Sequence, residues 1–282
     1  MSGKKITAPD VAASKGERKL AMVTAYDYSS AILADKAGVD MILVGDSLAM
    51  VVLGHEDTLS VTMDEMLHHV KAVSRAATRA LVVADMPFLS FQTGVEPAIM
   101  NAGRFLKEGR AQAVKVEGAS EVVPQIEAMV KAGIPVMGHL GLTPQHMAAM
   151  GGFKVQSKTA KAAALLIEEA RRVADAGAFA IVLEAIPPQV AEKAASVLPV
   201  PVIGIGAGPG CDGQVLVYHD ILGLFDRFRP RFVKQYADAG TFIQEALTRY
   251  VSDVKKGVFP GPEHCFSMDA RELAEFMAES AK

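Results

Sequence analysis

Cysteine is nearly absent: the 282 residues hold only Cys211 and Cys265, far apart and in no CxxC spacing. They read as ordinary reduced thiols, which argues against a disulfide framework and for a cytoplasmic setting. Excess charge is also missing. With 29 basic and 32 acidic residues the formal charge is −3, and no basic stripe of the kind that grips nucleic acid is visible. No run of about 18 apolar residues exists to span a membrane. The N-terminal stretch MSGKKITAPDVAASKGERKL lacks the apolar core of a signal peptide. No GxGxxG turn follows the first strand-like run, where AYDYSS stands instead, so a dinucleotide-binding doubly wound sheet is disfavoured.

What is present is a recurrence of short Val/Ile/Leu-rich runs, at 20–27, 39–46, 80–87, 113–118, 134–141, 179–186, 200–208 and 214–221. Their apolarity is continuous rather than alternating, as in strands buried on both faces of a parallel sheet. Helical patterns separate most of them, at 61–79, 94–110, 119–133, 158–177 and 188–197. In the first, Met63, Met66, Leu67, Val70 and Val73 form an apolar stripe, and Thr62 with Glu65 forms a capping-box pattern. Ala37-Gly38, Glu108-Gly109, Ala132-Gly133 and Ala176-Gly177 place glycine where a helix ends in the left-handed conformation. Eight strand–helix units in about 220 residues predict an α/β fold, a single (β/α)8 TIM barrel domain over 1–282, with two extra terminal helices after residue 241.

In such a barrel the chemistry sits at the C-terminal strand ends, and charged residues stand there repeatedly. Asp46 ends the second run, Asp85 the third, and Lys115 and Glu117 the fourth. His139 lies late in the fifth and Glu184 late in the sixth. Alternation puts Lys115 and Glu117 on one face. Neighbouring strands are about 4.8 Å apart, so three carboxylates crowd one side of the barrel mouth and repel one another. A divalent cation relieves that repulsion, and oxygen-only ligands favour Mg2+ or Mn2+ over Zn2+. Strand 6 lies opposite strand 2, which sets Glu184 across the pocket as a proton acceptor.

Plainer roles compete for each residue. Asp46 before Ser47 can cap the next segment, and Asp85 before Met86-Pro87 can serve a turn. Lys115 and Glu117 can pair only with each other, Glu184 can bind a backbone amide, and His139 can be a hydrogen-bonded core residue. The coincidence of these positions at consecutive strand ends favours a site. Weaker signals are GIGAG (204–208), whose amides can cradle an anion, and Tyr26 and Asp27 behind the site. The loop carrying His55 and Glu56, within 48–60, is a candidate lid. His68 and His69 fit a solvated or interface face. No triad pattern accompanies Ser47, which argues against a hydrolase.

The stretch VTAYDYSSAILADKAGVDMILVGDSLAMVVLGHEDTLSVTMDEM, followed by ADMPF, AVKVEG, MGHLGLTPQ, MGGFKVQ, GIGAG and DGQVLVYHDILG, resembles the ketopantoate hydroxymethyltransferase family from about residue 5 to 267. The resemblance implies a barrel of the phosphoenolpyruvate mutase/isocitrate lyase-like group and an enzyme of pantothenate biosynthesis. That enzyme would transfer a hydroxymethyl group from 5,10-methylenetetrahydrofolate to 3-methyl-2-oxobutanoate, giving 2-dehydropantoate through a Mg2+-stabilised enolate. It further implies Asp46 and Asp85 as metal and substrate ligands and Glu117 as an additional metal-site carboxylate acting through water. Ser47, Lys115 and His139 are implied as substrate contacts, Glu184 as the catalytic base, and a homodecamer as the assembly. Phe153 and Ser157 depart from the family's usual Tyr and Gly. A keto-acid lyase or mutase of the same barrel group is the alternative enzyme, although the KKCGH-type cysteine motif of isocitrate lyases is absent. A non-catalytic keto-acid-binding barrel is the alternative from another class, and Glu184 argues against it.

Overall fold

The computed structural model describes residues 4–150, 152 and 154–280. Eight parallel strands, β1 (Leu20–Thr24), β2 (Met41–Val44), β3 (Leu81–Asp85), β4 (Ala113–Glu117), β5 (Val136–Gly141), β6 (Ala180–Glu184), β7 (Val202–Ile205) and β8 (Gly213–Leu216), pair in chain order. β8 returns to β1, closing the barrel. The helices are α1 (Ala8–Ala12), α2 (Tyr28–Lys36), α3 (Leu48–Val51), α4 (Met63–Ala76), α5 (Val95–Lys107) and α6 (Val123–Lys131). They continue with α7 (Met147–Met150), α8 (Ala160–Asp175), α9 (Pro188–Val197), α10 (Tyr218–Leu222), α11 (Ala239–Lys255) and α12 (Ala270–Glu279).

Burial on both faces of the strands produces two cores. Residues of one parity, among them Ile42, Val82, Val114 and Ile181, pack outward against the helices. Residues of the other parity, including Met41, Leu43, Leu81, Val83, Met137 and Val182, fill the barrel, where Ile6, Ala8 and Val11 join them. The N-terminal segment with α1 thus plugs the end where the strands begin. The opposite end stays free for chemistry.

Local signals explain the helix ends. The Thr62 hydroxyl and Glu65 carboxylate cap α4 reciprocally. Gly38, Gly133 and Gly177 take positive φ as expected, but Gly109 does not: Arg110, at φ 58°, holds the left-handed turn. Gly109 is needed for close approach instead, since a Cβ there would lie 2.6 Å from the Phe105 carbonyl oxygen.

Two expectations are corrected. No helix separates β7 from β8. Residues 206–212, GAGPGCD, cross directly, because glycine and proline disfavour a helix and the two short strands leave a span that seven extended residues can bridge. The run 214–221 is only half strand: β8 stops at Leu216 and α10 begins at Tyr218. The terminal helices form as expected, yet neither α11 nor α12 has a buried residue. Ile243, Leu247, Val251 and Val254 make an exposed apolar stripe along α11, and Leu273, Phe276 and Met277 another on α12.

Candidate active site

The inward parity of the barrel runs straight into the charged residues. Val83 leads to Asp85, Ala113 to Lys115 and Glu117, Met137 to His139, and Val182 to Glu184. Strand register sets their heights: Asp85 stands level with Lys115, Glu117 with His139, and Glu184 one step higher beside Gly141. Asp46 is the exception. Its parity is that of the outward-facing Ile42 and Val44, but β2 ends at Val44, and the turn at Gly45 brings Asp46 to the same mouth. There its backbone N–H donates to Asp85 Oδ2 at 3.1 Å.

All seven residues picked from sequence, Asp46, Ser47, Asp85, Lys115, Glu117, His139 and Glu184, line one cavity of about 440 Å3. The competing plain roles fall away for several of them. Ser47, not Asp46, is the N-cap of α3, and no side chain caps it. Lys115 is not confined to Glu117: its ammonium lies 2.9 Å from Asp85 Oδ1, 3.6 Å from Glu117 Oε1 and 3.1 Å from His139 Nδ1. Glu184 Oε2 approaches His139 Nε2 at 3.1 Å, although Nε2 makes no hydrogen bond. Ser47 shares a 2.8 Å hydrogen bond with the buried Tyr26 hydroxyl.

Electrostatics divide the carboxylates. Burial, reinforced by repulsion from Asp85 and Glu117, pushes the Asp46 carboxyl well above its ordinary range. Burial also raises Asp85, only partly offset by Lys115. Burial opposes ionisation of Glu117 too, yet the charges of His139 and Lys115 with the hydrogen bonds of His139 and Gln145 bring it down to about 2. Burial and Lys115 work against a charged His139, but Glu117 and Glu184 lift it to about 9. When Nδ1 carries a proton it donates to Glu117 at 3.2 Å; when it does not, it accepts from Lys115.

A pH dependence follows. The folded His139 value lies above the ordinary 6.5, so its stabilising contribution is complete below about pH 6.5 and fades as pH rises through 9. Thermal melts from pH 6 to 9.5 should show the parent losing stability across that window, with His139→Asn giving a flatter profile.

The donor set suits a hard divalent cation at Asp46 and Asp85. Both are oxygen-only ligands, and Asp85 Oδ1 is buried without a hydrogen-bond partner, resting only on the charge of Lys115. Both oxygens of Glu117 already have partners. Its Oε1 meets His139 and Lys115, and its Oε2 accepts the Gln145 N–H at 3.0 Å. Among the described residues no three His, Cys, Asp or Glu side chains are gathered to hold a metal ion. A cation there would draw further oxygens from water or substrate, as Mg2+ usually does.

The backbone around Glu184 is clamped from both sides. Its carbonyl accepts from Leu142 N–H at 2.8 Å, and Ala185 N–H donates to the Ile205 carbonyl at 2.8 Å. Gly141 permits this closeness, since a Cβ there would sit 2.4 Å from the Glu184 oxygen. Ala185 itself holds φ 48°, the kind of backbone strain that collects at functional sites.

Other expectations fare variously. The proposed lid is partly fixed: Leu48 and Ala49 are buried in α3 and Thr58 is buried, which leaves 52–56 and Ser60 exposed. His69 is not simply a surface residue, for its Nδ1 lies against the Tyr26 carbonyl at 2.5 Å. In GIGAG, a Cβ on Gly206 would meet the Phe232 ring at 2.6 Å, so close packing accounts for that glycine. Ser157 adopts φ 55°, a conformation that the family's usual glycine takes without strain. Phe153 lies outside the described residues. Sequence reading missed Gln145, whose side chain and backbone both bind the cluster. It also missed Asp220, a cavity carboxylate pushed up to about 6 by burial.

Comparison with known proteins places the chain as a whole. The family model for ketopantoate hydroxymethyltransferase matches residues 5–262. The 3-methyl-2-oxobutanoate hydroxymethyltransferase of Syntrophobacter fumaroxidans is 64% identical over 96% of this chain and 97% of its own length. That of Moorella thermoacetica is 59% identical over 93% and 98%. Among solved structures, a phosphonopyruvate hydrolase in complex with oxalate and Mg++ superposes with a TM-score of 0.59 at 15% identity, covering 98% of this chain and 96% of its own. A 2,3-dimethylmalate lyase of the phosphoenolpyruvate mutase/isocitrate lyase superfamily gives 0.57 at 16%, covering 97% and 98%. The distant structures share the barrel. The near relatives share the sequence from end to end, and on that ground the chain belongs to the ketopantoate hydroxymethyltransferase family.

Proposed function

We propose that this enzyme transfers a hydroxymethyl group from 5,10-methylenetetrahydrofolate to 3-methyl-2-oxobutanoate, giving 2-dehydropantoate, with Glu184 as the base. The observation that carries the assignment of Glu184 is its difference from its neighbours. Its side chain is 16% exposed where those of Asp85, Lys115, Glu117 and His139 are 0–4% exposed. No lysine or arginine pairs with it among the described residues. It is the carboxylate of the cluster most open to the cavity, with His139 as its charged neighbour.

Asp46 and Asp85 would hold Mg2+, which when bound stabilises negative charge developing on the keto oxygen. Lys115, charged and buried on the same wall, presents a second positive group to the keto acid. Glu184, on β6 four strands round the closed ring from β2, takes the proton from C3. His139 braces the carboxylate of Glu184 from below. Ser47, held by Tyr26, offers its hydroxyl to the substrate. C3 then bonds to the donor's methylene carbon, the bonds from that carbon to the folate nitrogens break, and one water supplies the product's hydroxyl as tetrahydrofolate leaves. Until C3 has reacted, the cavity's apolar wall, with Phe225 and Phe232, limits quenching by water.

A homo-oligomer, a decamer by family resemblance, fits the uncovered apolar stripes of α11 and α12, which a second copy would bury. No described helix is long and apolar enough to cross a membrane, and Cys211 and Cys265 are free thiols, which supports a cytoplasmic setting. Product analysis tests the reaction: the two substrates with the purified enzyme should yield 2-dehydropantoate. Cleavage of an oxaloacetate-like acid in its place would establish the lyase alternative.

A further inference from the structure

One residue outside the titratable cluster ties together the chain at the ends of β2, β3 and β4. Gln145 lies in the segment after β5, 3% exposed. Its side-chain amide donates to Asp46 Oδ2 at 3.0 Å and to the Met86 carbonyl at 2.9 Å. Its backbone N–H donates to Glu117 Oε2 at 3.0 Å. The far oxygen of the amide accepts from Gln92 Nε2 at 3.1 Å.

The amide's orientation is forced. A carboxylate and a carbonyl are both acceptors, so only an NH2 group can face them. The oxygen must then point to Gln92, which must in turn present its own NH2. That leaves Gln92 Oε1 buried and without a partner, a cost retained to keep the first amide in place. The two amides form a relay that ends on one chosen oxygen of Asp46.

We infer that Gln145 is a positioning residue: by occupying Asp46 Oδ2 and bracing Glu117, it fixes the orientation in which Asp46 meets a divalent cation. This rests on the cation role proposed for Asp46 and Asp85. Carboxylate ligands depend on such outer hydrogen bonds for their aim, and losing one typically weakens metal binding about 10- to 100-fold.

The test is a titration with Mn2+ alone, reading free Mn2+ by electron paramagnetic resonance. Gln145→Met keeps the shape and removes every side-chain donor. It should raise the Mn2+ dissociation constant about 10- to 100-fold, while kcat at saturating Mn2+ stays within a few-fold of the parent; a merely structural role would not separate the two. Gln92→Met, which frees the amide without touching the cluster, should weaken Mn2+ by about 2- to 10-fold. It decides the matter should Gln145→Met fail to fold. Parental Mn2+ affinity in folded Gln145→Met, or in Gln92→Met when it alone folds, would overturn the inference and leave the cation site standing. A parent that binds no Mn2+ would remove the cation reading and this inference with it.

Discussion

Glu184→Gln should lower the rate of 2-dehydropantoate formation by about 10²- to 10⁴-fold, the usual worth of a positioned base. Affinity for 3-methyl-2-oxobutanoate should hold within a few-fold. The reasoning is geometric. Glutamine keeps the volume of the side chain and the two backbone hydrogen bonds that clamp this position, so the cavity retains its shape. Only the ability to take a proton goes. The 3.1 Å contact with His139 Nε2 also loses its charge, so a small fall in melting temperature is expected. Steady-state kinetics with the parent and variant side by side checks the split: a large loss in kcat with little change in KM. Equal turnover would remove Glu184 from the base role.

Lys115→Met should be the most destabilising single change in the site, by about 3–5 kcal/mol. The ammonium is 4% exposed and lies within 2.9 Å of Asp85 and 3.6 Å of Glu117. Methionine fills the space but strands two buried carboxylates. Against the 5–15 kcal/mol that holds an ordinary domain together, this is a large fraction. Adding Asp85→Leu should recover part of the loss, because removing a whole buried pair costs far less than removing half of one. Chemical denaturation of the parent, both single variants and the double variant measures the coupling. Additive losses would show that Lys115 and Asp85 do not act as a pair.

Much of this site is written locally. A strand that alternates faces carries its inward parity to its own end, so Asp85, Lys115, Glu117, His139 and Glu184 follow from counting by twos along apolar runs. Other features depend on contacts far apart in the chain. Asp46 owes its aim to a turn that breaks that count. Gln145 sits in a loop with no periodic signal, and its partners come from the ends of β2, β3 and β4. Asp220 was hidden because VLVYHDI is apolar enough for a strand, whereas the chain turns into α10 two residues after β8. The GAGPGCD crossing shows the same limit at the level of fold. Counting strand–helix units assumes a helix in each, and only the length and glycine content of that link exclude one.

The central claim is that Asp46 and Asp85 on one wall and Glu184 on the other jointly strip a proton from C3 of the keto acid. Proton NMR of 3-methyl-2-oxobutanoate in deuterated water, with the parent enzyme and no folate, tests it directly. The C3 signal should vanish when Mg2+ is present, and persist when the cation is chelated or Glu184 is glutamine. Exchange that proceeds at full rate without a divalent cation, or in Glu184→Gln, would contradict the account.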